Sequence, residues 1–358
     1  MTTYKDLFKP IQIGSLGLNH RIIMAPLTRC RADHNHNPTD LMTEYYSQRS
    51  SAAFIVSEAT MVMPNCSAFG GTDPGIYSQE QIIGWKKITD AVHAKGGKIL
   101  LQLWHGGRAC HPLLNNGQEC VSSSAIAIEG ETYTPQGKVA YTVPRALDLN
   151  EIPKIVEGFK KAAMNAKEAG FDGVEVHGAN GYILDQFLRD SCNKRTDSYG
   201  GVISNRAKLL LEVTKSVIDV WGADKVGVRL SPLNSYNSMK DSNPLELTAY
   251  VSKALSALKI AYLHMMRADF FGLQSGDVMS VARENFKGVL IGNMGYSAEE
   301  ANTAIQKEMM DAVAFGHHYV SNPDLVERIK EGSPILEPDQ NTYYSQGKAG
   351  YTDYPFRS

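Results

Sequence analysis

The chain has 358 residues, of which 43% are apolar and 21% are charged, and its formal net charge is −2. This composition can bury a sizeable core and excludes wholesale disorder, and the small net charge excludes the basic field that gathers nucleic acid or anionic membranes. Five scattered cysteines without a CxxC pair argue against a disulfide scaffold, an iron–sulfur cluster or a thiolate zinc site.

The N-terminal segment has no signal-peptide pattern, and no apolar run approaches the length of a membrane span. We therefore expect a cytoplasmic protein.

Along the chain, short apolar, β-branched runs alternate with amphipathic segments. The predicted strands cover residues 21–25, 53–59, 98–103, 173–177, 226–230, 261–265, 289–292 and 312–315. The clearest predicted helices cover residues 78–95, 150–169, 205–221 and 243–258.

Eight strands separated by helices predict a parallel sheet, because parallel strands need crossover connections. No linker divides the chain, so the pattern favours a single (β/α)8 TIM barrel over two doubly wound domains. We expect one domain over residues 1–358, with its core at about 20–332 and a C-terminal tail at 334–358. The long segment after the third strand, about residues 113–144, predicts a β-hairpin lid, since residues 138–143 alternate in polarity.

The fourth predicted strand ends in three hydrogen-bonding side chains. In a barrel, the chemistry gathers where the carboxyl ends of the strands converge. His177 closes this strand, and Asn180 and Tyr182 follow in a glycine-spaced turn. We hypothesise that His177 and Asn180 bind a substrate oxygen and that Tyr182 delivers a proton.

Other strand ends suit a flavin. Thr28 and Gln102 match a ring edge that bears both C=O and N–H groups, and Arg229 would favour the reduced anion. A structural salt bridge is the alternative for Arg229. Gly292 and Gly316 follow the seventh and eighth strands, where barrels often bind phosphate, although either glycine alone could serve only turn geometry. No Rossmann or P-loop motif supports another nucleotide site.

A metal site is the competing interpretation of the ten histidines. His105 and His111 share a loop, and His317 and His318 are adjacent, but no carboxylate–histidine cluster has metal-ligand spacing. We therefore expect no metal.

The chain resembles the old yellow enzyme family of FMN-dependent NAD(P)H oxidoreductases over nearly its whole length. The matching motifs follow the family's order, at residues 19–22, 24–29, 57–60, 102–108, 172–188, 193–197, 199–201, 229–232, 314–316, 322–325 and 350–355. The match is to the branch with a His/Asn substrate pair, because the cysteine of the other branch falls at Thr28. Residues 231–244 and 262–264 also resemble, more weakly, relatives assigned as prostaglandin F2α synthases.

The resemblance implies a ping-pong ene-reductase. NADPH or NADH would reduce bound FMN, and flavin N5 would then pass hydride to the β-carbon of an α,β-unsaturated carbonyl or nitro compound, or to a quinone-like acceptor. His177 and Asn180 would donate hydrogen bonds to the substrate's oxygen, and Tyr182 would protonate the α-carbon. The residues at the family's flavin, phosphate and pocket positions are Pro26, Thr28, Ala59, Gln102, Arg229, Gly292, Asn293, Gly316, Trp104 and Tyr344.

Two departures from the family pattern concern the ends of the site. His317 stands where the family usually has an arginine on the FMN phosphate, so FMN would be held more loosely at high pH. Phe69 replaces a common pocket tyrosine.

The alternatives to alkene reduction are reduction of the prostaglandin H2 endoperoxide and a flavin-binding redox protein with incidental turnover. The choice of nicotinamide, the physiological substrate and the state as monomer or homodimer stay open.

Overall fold

The structure is a computed structural model that describes residues 3–357. Its strands are β1 (Ile11–Ile13), β2 (Leu16–Leu18), β3 (Ile22–Met24), β4 (Ile55–Val56), β5 (Thr60–Met61), β6 (Ile99–Trp104), β7 (Val121–Ser122), β8 (Glu131–Thr134), β9 (Gly137–Ala140), β10 (Arg145–Ala146), β11 (Gly173–Gly178), β12 (Val226–Leu230), β13 (Tyr262–Met266), β14 (Val289–Asn293) and β15 (Ala312–Phe315). Its helices are α1 (Asp40–Gln48), α2 (Gln79–Ala94), α3 (Ile152–Glu168), α4 (Ile183–Leu188), α5 (Ile203–Arg206), α6 (Lys208–Trp221), α7 (Pro244–Ala257), α8 (Val278–Asn285), α9 (Ala298–Gln306), α10 (His317–Ser321) and α11 (Leu325–Glu331).

Eight parallel strands close into a barrel, which confirms the predicted fold class. They run in the order β3, β4, β6, β11, β12, β13, β14 and β15, and β15 pairs with β3. The four predicted helices correspond to α2, α3, α6 and α7. Because the strands are parallel, all their carboxyl ends meet at one mouth of the barrel.

The second barrel strand differs from its prediction over residues 53–59. It consists of β4 and β5, which pair with β6 on either side of an interruption. At the interruption, the Ser57 hydroxyl donates to the Glu58 carbonyl oxygen at 3.0 Å and the Thr60 hydroxyl donates to the same oxygen at 2.8 Å. Side-chain hydroxyls therefore occupy the carbonyl oxygen that a neighbouring strand would otherwise bond. These local hydrogen bonds compete with a continuous strand.

Two hairpins lie outside the barrel. β8 and β9 form the antiparallel hairpin predicted after the third strand, but the second of its strands ends at Ala140 and does not continue to residue 143. β1 and β2 form an unpredicted hairpin. Its Ile13 and Leu18 join the same buried cluster as Ile23, Leu100 and other inward barrel residues. This hairpin therefore covers an apolar end of the barrel core.

A larger apolar cluster fills the space between the barrel and its helices, as in other (β/α)8 domains. Helix α2 shows how the sequence sets these boundaries: Ser78 and Gln81 form a reciprocal capping box at its start. Over residues 3–357, no helix combines the length and apolarity needed to cross a bilayer.

Candidate functional site

The carboxyl ends of β11, β12 and β13 bring three polar side chains into one row. His177 is the register partner of Arg229, and Arg229 is the register partner of His264. All three are buried, at 4%, 8% and 1% exposed. Alternate residues of a strand point to the same face, so Glu175 lies on the same side of β11 as His177, one layer deeper. The inside of the barrel is thus polar towards its mouth.

His177 is a neutral hydrogen-bond donor. Burial, followed by the nearby charge of Arg229, lowers the pKa of His177 to about 3. Its Nδ1 lies 3.3 Å from the backbone nitrogen of Ala179. A backbone N–H can only donate, so Nδ1 is the unprotonated nitrogen and Nε2 carries the proton. The ring can therefore stabilise negative charge on a substrate oxygen without itself titrating near neutral pH.

Asn180 is held by its backbone as well as by its side chain. Its φ of 57° is in the left-handed region, which asparagine tolerates better than most residues. The Asn180 N–H donates to the Ser231 hydroxyl at 2.8 Å, and its carbonyl oxygen accepts from Asn237 Nδ2 at 2.9 Å. The side-chain oxygen accepts from Asn234 Nδ2 at 2.9 Å. Its side-chain Nδ2 has no acceptor among residues 3–357, so both of its N–H groups are available to a ligand.

Tyr182 lies in an aromatic wall and keeps its proton. Its ring meets Trp104 and His177 edge-to-face, each at a centroid distance of 5.1 Å. Burial, reinforced by neighbouring phenols, raises the pKa of Tyr182 well above its usual range. Phe69 lies 6.4 Å from Tyr182 and stacks on Tyr344 at 6.1 Å. The sequence-predicted donors and pocket residues are therefore neighbours at one mouth of the barrel.

A buried acid network beneath this row was not anticipated. Glu175 is 0% exposed and accepts hydrogen bonds from Gln102 Nε2 at 2.8 Å and the Tyr262 hydroxyl at 3.0 Å. Its Oε2 also lies 2.9 Å from His264 Nδ1. Burial opposes ionisation of Glu175, but the contact with His264 and the charge of Arg229 outweigh it and hold the pKa of Glu175 below its usual range. A carboxylate thus sits inside the barrel below the predicted flavin position.

Arg229 is a buried guanidinium with one unpartnered nitrogen. One of its terminal nitrogens donates to Asn293 Oδ1 at 2.9 Å, but its buried Nε has no hydrogen-bond partner among the described residues. It forms no ion pair in residues 3–357, so the salt-bridge alternative is wrong for this part of the chain. Burial lowers the pKa of Arg229 although Glu175 opposes the shift. An unpaired buried guanidinium is costly unless an acceptor-rich ligand meets it.

The remaining predicted flavin positions surround the same opening. Pro26 and Thr28 are half-buried just after β3, and Ala59 is buried between β4 and β5. Within the described chain, no residue hydrogen-bonds the Thr28 hydroxyl. Gln102 donates to Glu175 through Nε2, so the side-chain oxygen of Gln102 points away from Glu175 and is available as an acceptor. An unpartnered hydroxyl, a free amide oxygen and a guanidinium with one unpartnered nitrogen fit the edge of the FMN ring.

The predicted phosphate loops contain two glycines with different packing. A methyl group on Gly292 would overlap the Met310 sulfur, so this glycine is required by the core itself. A methyl group on Gly316 would come within 3.2 Å of Leu27, on the side of the predicted flavin positions. Asn293, the last residue of β14, donates to the carbonyl oxygen of Ala314 in β15 at 2.7 Å. The ends of both strands therefore bear a glycine, whose backbone N–H can approach an anion closely.

His317 has other partners for both ring nitrogens. Nε2 lies 2.9 Å from Glu337 Oε2, and Nδ1 lies 3.0 Å from the Tyr343 hydroxyl. Both partners belong to the C-terminal tail, which sequence spacing could not relate to the eighth strand. The hydrogen bond from His317 lowers the pKa of the exposed Glu337 carboxyl.

A cavity of about 1520 Å³ borders the aromatic wall beside Tyr182, and it is large enough for a small-molecule substrate. Its walls include the β8–β9 hairpin, the aromatic residues Phe69 and Tyr344, and Tyr236 after β12. Residues 3–357 hold no cluster of three or more metal-ligating side chains, and their five cysteines are buried and unpaired.

Comparisons with known proteins identify similar flavin oxidoreductases. A sequence model of the NADH:flavin oxidoreductase / NADH oxidase family matches residues 6–335. A probable flavin mononucleotide-dependent alkene reductase of Leishmania infantum is 46% identical over 356 residues, covering 98% of this chain and 97% of its own. The old yellow enzyme from Trypanosoma cruzi superposes with a TM-score of 0.97 at 44% identity, covering 99% of this chain and 100% of its own. Morphinone reductase in complex with tetrahydroNAD superposes with a TM-score of 0.93 at 43% identity, covering 98% of each chain.

Proposed function

Since the chain belongs to the NADH:flavin oxidoreductase / NADH oxidase family, among its old yellow enzyme members, we propose that it is an FMN-dependent ene-reductase that uses NADPH or NADH. The observation that carries the proposal is that the neutral donors His177 and Asn180 lie at the same barrel mouth as Arg229, whose buried Nε has no hydrogen-bond partner among the described residues. Relatives described as alkene reductases support the reaction class. We further propose that residues 1–358 form a single FMN-binding domain.

The cofactor would be held by the strand ends. Thr28, Gln102 and Arg229 would contact its ring together with Pro26 and Ala59, and the backbone at Gly292, Asn293, Gly316 and His317 would take its phosphate. FMN, when bound, supplies the hydride that adds to the β-carbon of an electron-poor alkene. The positive charge of Arg229 favours binding of an electron-rich ring edge.

The residues of the β11 mouth would polarise the alkene. His177 Nε2 and Asn180 Nδ2 donate hydrogen bonds to the carbonyl or nitro oxygen, and these bonds strengthen as negative charge develops there. Because both groups are neutral and fixed, they need no reorganisation during the reaction. Tyr182 then gives its proton to the α-carbon as general acid. Trp104, Phe69 and Tyr344 supply an apolar wall around the alkene.

The nicotinamide would occupy the same mouth before the alkene, since reductant and substrate exchange hydride with one ring. The complex of morphinone reductase with tetrahydroNAD supports a nicotinamide as the reductant. Stopped-flow titrations with each nicotinamide would measure the preference directly.

Anaerobic half-reactions test the proposal. The purified protein should be yellow, NADPH should bleach its flavin absorbance, and 2-cyclohexenone should restore that absorbance with formation of cyclohexanone. A colourless protein that does not take up added FMN would overturn the proposal. If NADPH bleaches the flavin but no activated alkene restores it, the protein is a flavin-binding redox protein instead. Parallel assays with prostaglandin H2 test endoperoxide reduction, in which the same donors would act on a peroxide oxygen.

A further inference from the structure

Asn234, in the loop after β12, contacts Asn180 directly. It is 0% exposed, and its Nδ2 donates to Asn180 Oδ1 at 2.9 Å. We infer that Asn234 is a positioning residue that decides which end of the Asn180 amide faces the substrate. This role rests on the proposed function, in which Asn180 donates to a substrate oxygen.

The orientation of the Asn234 amide follows from its other neighbours. Its Oδ1 lies 3.3 Å from the backbone nitrogen of Phe270 and 3.4 Å from that of Tyr236. Backbone N–H groups can only donate, so they must face the oxygen of Asn234 and not its NH2 group. The NH2 group of Asn234 is therefore the end that meets Asn180.

The orientation of the Asn180 amide follows from that of Asn234. Because Asn234 donates, the Asn180 side chain must accept through its oxygen, and its own NH2 group then points away from Asn234. The Asn180 backbone is already fixed through Ser231 and Asn237. The remaining freedom at Asn180 is rotation of the amide, which would exchange a donor for an acceptor. An acceptor facing a substrate carbonyl would repel the charge that develops on it.

Asn234 is itself held firmly. Its carbonyl oxygen accepts from Arg189 at 2.9 Å, and its N–H donates to the Ser231 carbonyl oxygen at 3.0 Å. The next residue, Ser235, donates from both its N–H and its hydroxyl to Asp269 Oδ1 at 2.7 Å. The loops after β12 and β13 are thus joined at Asn234, so its amide has a fixed frame against which to orient Asn180.

The direct test is Asn234→Asp. A carboxylate keeps the shape of the side chain and still accepts from the N–H groups of Phe270 and Tyr236. It would also accept from Asn180, which would turn the Asn180 oxygen towards the substrate. Removal of one oxyanion donor costs about 100-fold to 1,000-fold in rate, so we expect a loss of at least about 100-fold in reoxidation of the pre-reduced enzyme by 2-cyclohexenone. FMN content and reduction by NADPH should stay near wild type.

A double-mutant cycle separates positioning from a general structural role. Asn180→Ala alone should slow reoxidation, and adding Asn234→Asp to it should cause no further loss, because the amide to be oriented is absent. Asn234→Ala offers a second variant if the aspartate variant does not fold, with an expected loss of about 10-fold that also vanishes beside Asn180→Ala. Asn150→Asp is the matched control, since it makes the same amide-to-carboxylate change at an exposed position outside the cavity wall, and it should reoxidise at the wild-type rate.

The outcomes are distinguishable. Wild-type reoxidation rates in Asn234→Asp, or a loss that persists in full beside Asn180→Ala, would overturn the positioning role and leave the proposed function intact. A wild-type protein that never reduces 2-cyclohexenone or another activated alkene overturns the proposed function, and the role of Asn234 falls with it.

Discussion

Replacing Tyr182 with phenylalanine isolates the proton that the proposed reaction needs. The ring is 5% exposed and meets Trp104 and His177 at 5.1 Å, and phenylalanine would keep all of this packing. The hydroxyl alone is lost, so stability should change little. A positioned general acid contributes about 100-fold to 10,000-fold in rate. Other phenols lie near Tyr182, among them Tyr236 and Tyr141, and could pass on a proton less effectively.

We therefore expect the lower end of that range, a loss of about 100-fold in alkene reduction, or about 2.7 kcal/mol of activation free energy. Stopped-flow reoxidation of the pre-reduced Tyr182→Phe protein by 2-cyclohexenone measures it, while reduction by NADPH should stay within about two-fold of wild type. The wild-type step should show no titration of Tyr182 between about pH 6 and pH 9, because its pKa lies well above the usual value of 10.0.

Tyr250→Phe is the matched control for the loss of a phenol. Tyr250 lies on the outer helix α7, is 38% exposed and is not part of the cavity wall. Both half-reactions should be unchanged in this variant. Equal reoxidation rates in wild type and Tyr182→Phe would refute Tyr182 as the proton donor, and a matching loss in the NADPH step would instead indicate a disturbed flavin site.

Three further predictions follow from charge and packing. Glu175→Gln removes the anion that opposes Arg229, so the flavin midpoint potential should rise by roughly 30 mV, which corresponds to about 1.4 kcal/mol for two electrons; a spectroelectrochemical titration that shows no rise would contradict this. His317→Arg should hold FMN more tightly, because an arginine could pair its permanent charge with the phosphate; an FMN dissociation constant equal to that of wild type would reject a role for position 317 at the phosphate. Gly227→Ala should lower stability by about 1–3 kcal/mol in thermal unfolding, because a methyl group there overlaps the Tyr262 ring; an unchanged midpoint would show that the ring can move.

The fold was predictable because its signal is local and repeated. Each barrel strand is a short apolar run, and the predicted ranges 226–230 and 312–315 coincide with β12 and β15. The interruption between β4 and β5 was missed because it depends on two hydroxyls that compete for one carbonyl oxygen. The β1–β2 hairpin was missed because three-residue strands carry too little pattern to be recognised.

The site was predictable only where its residues follow one another in the chain. His177, Asn180 and Tyr182 lie within one turn after a strand, so a single stretch revealed them. Glu175 lies in the same stretch, but its role depends on partners from β6 and β13 that meet only when the barrel closes. Asn234 likewise gains meaning only from its contact with Asn180, 54 positions away in sequence. The roles of Glu175 and Asn234 therefore depend on which distant residues the folded barrel places beside them, and not on their residue types.

The positive charge of Arg229 would act on both the flavin and His177. Arg229 would attract an electron-rich ring edge, and its charge also contributes to the low pKa of His177. The imidazole therefore stays neutral next to a cation and keeps its Nε2 proton for the substrate oxygen. Glu175, one layer deeper, is held ionised in the barrel, and its negative charge partly offsets the electrostatic potential of Arg229. Removing the charge of Arg229 should consequently weaken flavin binding and bring His177 closer to titration, so a loss of activity at that position cannot be assigned to the flavin alone.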